Sequence, residues 1–139
     1  MEQVSKDRIA QSFAAQTMMG TLGAELQEVG TGHVVITAPL LPGSLQQQGF
    51  GHAGLTFSIG DSAAGYAALT MLPMDMEVLT AEIKINLLAP ASGDHLKAVG
   101  RVINPGKRLL VVASDVFSVT ESKETLIAAM QGTMVPVAL

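Results

Sequence analysis

Residues 80–90 read TAEIKINLLAP. Ala81, Ile83, Ile85 and Leu87 alternate with Thr80, Glu82, Lys84 and Asn86, a period of two that predicts a strand with one apolar and one polar face. Ahead of it, Ala53 to Leu72 runs for about 20 mostly apolar or small residues without proline and stops before Pro73, which suits a helix and not one strand. That length also raises a membrane span, but Asp61 at its middle, with His52, Ser58 and Ser62, argues against one. A helix apolar on nearly all sides belongs at the buried centre of an assembly.

Working outward, Leu96 to Ile103, Leu109 to Val119 and Leu126 to Val137 read as three further strands, parted by turns at Asn104-Pro105-Gly106 and Glu121-Ser122. Upstream, Ser5 to Met18 reads as a helix with Ser5 as its cap and Asp7 in its first turn. Leu22 to Glu28 and His33 to Leu40 read as a hairpin turned at Gly30 and Gly32, and Leu41 to Gly51 as a loop. Together these elements predict one α+β domain over residues 1–139: a curved, mostly antiparallel sheet of about six strands wrapped around one long central helix.

Charged residues make up 14% of the 139, against roughly 25% in an average globular domain. A small monomer has much surface to keep wet, so the deficit predicts subunit burial and a homo-oligomer. The net charge of −4, the eight basic residues without a run, the absence of Trp and the one Tyr argue against a nucleic-acid partner. There is no Cys, which excludes disulfides, thiolate metal sites and a Cys nucleophile. Met1 to Asp7 lacks the basic and apolar regions of a signal peptide, so a cytoplasmic location with no membrane partner is expected.

Asp61 is the most informative residue. Burying a carboxylate amid Phe57, Ile59, Ala63 and Ala64 is costly unless it finds partners or a shifted pKa, so it is either a hydrogen-bonded structural acid or a base or nucleophile tuned by burial. The stretch Gln46 to Gly54 sets three glycines just before the helix start, where unpaired N–H groups favour anions. His52 stands at that start with no second ligand one turn on, so it reads as fixing the entry loop, and no metal is expected. No His stands at helical spacing from Ser58 or Ser62 to activate it, so a Ser-His-Asp triad is unsupported. His33 and His95 lie in turn-like surroundings, and the eight Met residues suit packing. Lys107-Arg108 beside a Pro-Gly turn is a solvated turn or a cation pair for phosphate.

Taken together, the chain resembles the hotdog-fold acyl-CoA thioesterases, in the branch typified by the phenylacetate-degradation thioesterases. The resemblance spans about residue 8 to 137 and rests on His52-Ala53-Gly54 opening the long helix, an acid nine residues after His52, TAEIKINLLAP and the GKRLLVV of residues 106–112. It implies hydrolysis of acyl-CoA thioesters to free acid and CoA, with coenzyme A as part of the substrate and no further cofactor. It implies that Asp61 attacks the thioester or activates water, that the Ala53 N–H polarises the carbonyl, that Gln46 assists there and that Thr80 orients the acid. His52 and Gly54 would help to hold the substrate, and Lys107 and Arg108 would meet the CoA phosphates. Where the family commonly has Gly, this chain has Ala53; the donor survives, but the added methyl narrows the approach.

Ala53 and Asp61 are eight residues apart, about 12 Å on one helix at ~1.5 Å per residue, too far to touch one thioester carbon. The resemblance implies a site at a dimer interface, with the loop and helix start from one chain and the acid from the other, in a dimer or a dimer of dimers. Two other readings stand beside it. One is a non-catalytic acyl-CoA-binding hotdog protein. The other is a hotdog hydratase or dehydratase, against which the residue fourteen after His52 counts, being Tyr66 and not an acid.

Overall fold

The computed structural model describes residues 1–138. Helices α1 (Gln3–Ala15) and α2 (Thr17–Thr21) lead into strands β1 (Glu25–Gly30) and β2 (His33–Pro39). Then come a short 3-10 turn (Pro42–Ser44), helix α3 (Ala53–Leu69) and strands β3 (Met76–Leu87), β4 (His95–Pro105), β5 (Leu110–Thr120) and β6 (Lys123–Ala138). The strands form one antiparallel sheet in the order β1-β2-β4-β5-β6-β3. This is the α+β arrangement the sequence predicts.

Helix α3 packs on one face of the sheet through Leu55, Ile59, Ala63, Ala67 and Leu69, all buried. Its small residues allow the two layers to close up. A Cβ on Gly100 of β4 would come within 2.3 Å of the Ala63 backbone, and one on Gly60 would meet the Met130 thioether. The helix stops at Leu69, not Leu72. The Thr70 hydroxyl donates to the Ala67 carbonyl at 2.6 Å and accepts the Gly32 N–H at 2.7 Å, so the last turn is tied to the β1–β2 hairpin. No helix among the described residues is long and apolar enough to cross a membrane.

The N-terminal helix differs from its expected form. Glu2, not Ser5, occupies the cap and makes no side-chain cap bond, and the helix breaks at Gln16, which is extended at φ −81°, ψ 93°. Leu22 does not begin a strand. It ends α2, and Gly23 at φ +68° then closes a Schellman turn, with Gly23 N–H on the Gly20 carbonyl and Ala24 N–H on that of Met19.

The strand of residues 80–90 starts earlier, at Met76, and its alternation is interrupted. Thr80 pairs with Met134 and Glu82 with Thr133, so Ala81 is the extra residue of a β-bulge. The bulge resets the phase. Thr80, which simple alternation puts on the polar face, shares the helix side of the sheet with Val78, while Ile83 and Ile85 pack on the core.

Candidate functional site

Two clefts open along α3, with Gln46, His52 and Ala53 on one and Asp61 and Thr80 on the other. The first lies at the helix start. The entry loop is tied down by Gly51 N–H on the Ala91 carbonyl at 2.7 Å and His52 N–H on the Ser44 carbonyl at 2.9 Å. A Cβ at Gly51 would be 2.9 Å from that of Ala91, so only glycine fits this crossing. Gln46, Phe50, His52, Ala53, Thr56 and Leu87 line a cleft of ≈ 420 Å³ there.

His52 is the N-cap of α3, and its Nδ1 accepts the Gly54 N–H at 2.7 Å. Leu55 N–H goes to the His52 carbonyl at 2.9 Å. Among the described residues, the Ala53 amide has no acceptor, and it is the open donor of this first turn. Gly54 offers no free N–H, because His52 takes it. Gln46 is turned onto its own loop, its Oε1 accepting the N–H of Gln48 at 2.5 Å and of Phe50 at 3.3 Å.

The second cleft, ≈ 200 Å³, lies two helical turns on, with Asp61, Ser12, Gln16, Tyr66, Val78 and Thr80 on its walls. Thr80 Oγ1 donates to Asp61 Oδ1 at 2.8 Å. Burial raises the pKa of the Asp61 carboxyl above its ordinary value, and the Thr80 bond offsets part of the rise. The result is a half-buried acid that is harder to ionise and, once ionised, more basic than one in water.

Beside Asp61 runs a polar chain that sequence reasoning missed. Ser62 Oγ donates to Gln16 Oε1 at 3.1 Å, Gln16 Nε2 donates to the Tyr66 hydroxyl at 3.0 Å, and Ser12 Oγ lies 3.2 Å from that hydroxyl. Ser12 on α1 and Gln16 at the break that follows it are four apart, as are Ser62 and Tyr66 on α3. The polar pair on the otherwise apolar α3 was the available signal.

Lys107 and Arg108 are exposed in the β4–β5 turn and line neither cleft. His33 and His95 are half-buried first residues of β2 and β4, not turn residues. Among the described residues no group of three or more His, Cys, Asp or Glu side chains is arranged to hold a metal ion.

Residues 48–125 match the sequence family described as the thioesterase superfamily. A provisionally named esterase of Saccharolobus solfataricus is 39% identical over 84 residues, 60% of this chain; the chain spans about half the length of that curated relative, 53%. The crystal structure of a thioesterase family protein from Silicibacter pomeroyi is 34% identical, with 97% of this chain and 99% of that one covered and a TM-score of 0.94. The likeness extends at the level of fold to the PaaI protein from the phenylacetic acid degradation operon of Escherichia coli. That pair is 21% identical over 96% of this chain and 94% of that one, with a TM-score of 0.85. The sheet wrapped around α3 is therefore the hotdog fold expected from the sequence.

Proposed function

Because the chain belongs to the thioesterase superfamily, we propose that it hydrolyses acyl-CoA thioesters at a site shared between two copies of itself. The observation that carries this reading is the position of β3. Val78 and Thr80 near its start line the Asp61 cleft, and Leu87 at its end lines the Ala53 cleft. The strand is one of the sheet's two edges, the other being β1, and it has Leu79 60% and Leu87 56% exposed. Such an edge is a template for pairing. Two copies joined antiparallel along β3 set the Thr80 end of one beside the Leu87 end of the other. The Asp61 cleft of each then abuts its partner's Ala53 cleft, which removes the separation of about 12 Å within one helix.

In that arrangement the Ala53 N–H and the positive end of α3 hold the thioester oxygen as it becomes an oxyanion. The partner's Asp61, oriented by Thr80, attacks the carbonyl carbon to form a mixed anhydride, or takes a proton from the attacking water. The carbon–sulfur bond breaks, CoA leaves as the thiol, and a water oxygen ends in the acid. Lys107 and Arg108 meet the CoA phosphates at the periphery.

The test mixes two inactive variants. Asp61→Asn and Ala53→Pro each remove one half of the site, and co-refolding them gives hybrid dimers with one intact site. About a quarter of wild-type turnover is expected in the mixture. A mixture as inactive as its parents overturns the shared site.

A further inference from the structure

The wall of the Asp61 cleft formed by α1 and the middle of α3 has more hydrogen-bond donors than it uses. Ser12, Gln16, Ser62 and Tyr66 hold five donor hydrogens, two on the Gln16 amide and one on each hydroxyl. Three are engaged: Ser62 on Gln16 Oε1, Gln16 Nε2 on the Tyr66 oxygen, and one shared by Ser12 and Tyr66. The second Gln16 N–H and one hydroxyl hydrogen of the Ser12–Tyr66 pair have no partner among the described residues. A surplus of donors suits an oxygen acceptor on the ligand.

The same cleft also carries Glu77 and Asp61. Arg8, the cation beside Glu77 at 4.0 Å, is already bonded to the carbonyls of Leu72, Pro73 and Met76. Arg8 offsets the charge of Glu77, so the Asp61 carboxylate, with no cation bonded to it, is what disfavours an anionic group and leaves a neutral oxygen as the fitting acceptor. Asp61 and Tyr66 are five residues apart, ~7.5 Å along the helix, a span that a chain of about six carbons covers.

Resting on the thioesterase reading above, we propose that Gln16 and Tyr66 select acyl groups bearing a neutral hydroxyl or oxo oxygen remote from the thioester. Neither plain alkyl nor carboxylate-ended chains fit as well. The alkyl chain leaves the donors unmet, and the carboxylate finds no free cation in a cleft that already holds Asp61.

The experiment compares kcat/KM for hexanoyl-CoA, 6-hydroxyhexanoyl-CoA and adipoyl-CoA, equal chains ending in methyl, hydroxymethyl and carboxylate. Wild type is expected to favour the hydroxy ester over both others by about tenfold, the scale of one added hydrogen bond. Tyr66→Phe and Gln16→Met are each expected to bring the hydroxy-to-methyl ratio near one, a readout independent of how much variant folds. A wild-type ratio near one, a preference for adipoyl-CoA, or a ratio that survives both substitutions overturns the proposal. If wild type hydrolyses none of the three, the thioesterase reading fails by itself. The selectivity is then read from the affinities of the same esters by calorimetry, where a tighter hydroxy ester upholds it and equal values overturn it.

Discussion

The Thr80 hydroxyl reaches Asp61 Oδ1 at 2.8 Å only because Ala81 is bulged out of the β3–β6 ladder. Without that extra residue, Thr80 and the core-facing Ile83 would point to opposite sides of the sheet. The bulge therefore joins the edge strand to the acid at the middle of the central helix.

Removing that bond shifts the pH dependence of turnover. In the proposed mechanism the carboxylate is the reactive form; burial raises its pKa, and Thr80 counters the rise by stabilising the charged state. Thr80→Val should therefore move the acid limb of kcat/KM to higher pH. A pH–rate profile checks this, and a limb unmoved or moved to lower pH would contradict it.

Asp61 should also cost the fold stability at neutral pH. A carboxyl whose folded pKa lies above its unfolded value stabilises most below the unfolded value, about 3.9, and that contribution is lost as pH rises through the folded pKa. Asp61→Asn keeps an oxygen for Thr80 and removes the charge. It should raise Tm at pH 7, modestly because solvent screens the half-exposed charge, while abolishing turnover. The gain should shrink towards pH 4 in thermal melts; a variant less stable at pH 7 would refute the assignment of burial as the dominant effect.

Proline at position 53 isolates one amide. Ala53 is the first residue of α3, and His52 before it is extended at φ −63°, ψ 144°, a geometry proline accepts on both sides. Ala53→Pro should leave Tm nearly unchanged and lower kcat by about 100-fold or more, the usual effect of losing an oxyanion donor. Full activity in steady-state kinetics would remove Ala53 from the site.

The Lys107–Arg108 pair is testable by truncating the substrate. Replacing both by Ala should raise KM for acyl-CoA severalfold and leave KM for the matching acyl-pantetheine, which lacks the nucleotide, where it was. Equal changes for both substrates would mean that these cations do not meet the nucleotide phosphates.

Gly100→Ala probes the closeness of helix and sheet. The new methyl would sit 2.3 Å from the Ala63 backbone, which no rotamer change can relieve. A loss of about 1–3 kcal/mol is expected from urea unfolding.

Local pattern alone determined much of this protein. The apolar run from Ala53 and the alternation through Ile83 and Ile85 specified the central helix and a strand, because side-chain periodicity is a property of neighbouring residues. His52 and Asp61 stood out for the same reason, as polar residues at the start and middle of an apolar segment. What pairs across the sequence was beyond such reading. The break at Gln16, the early end of α3 and the bulge at Ala81 each accompany a bond to a distant partner, Gln16 to Ser62, Thr70 to Gly32 and Thr80 to Asp61, 46, 38 and 19 residues away. Only tertiary structure decided that β3 occupies the sheet's edge and borders both clefts, since strand order depends on which distant surfaces bury one another and not on any local propensity.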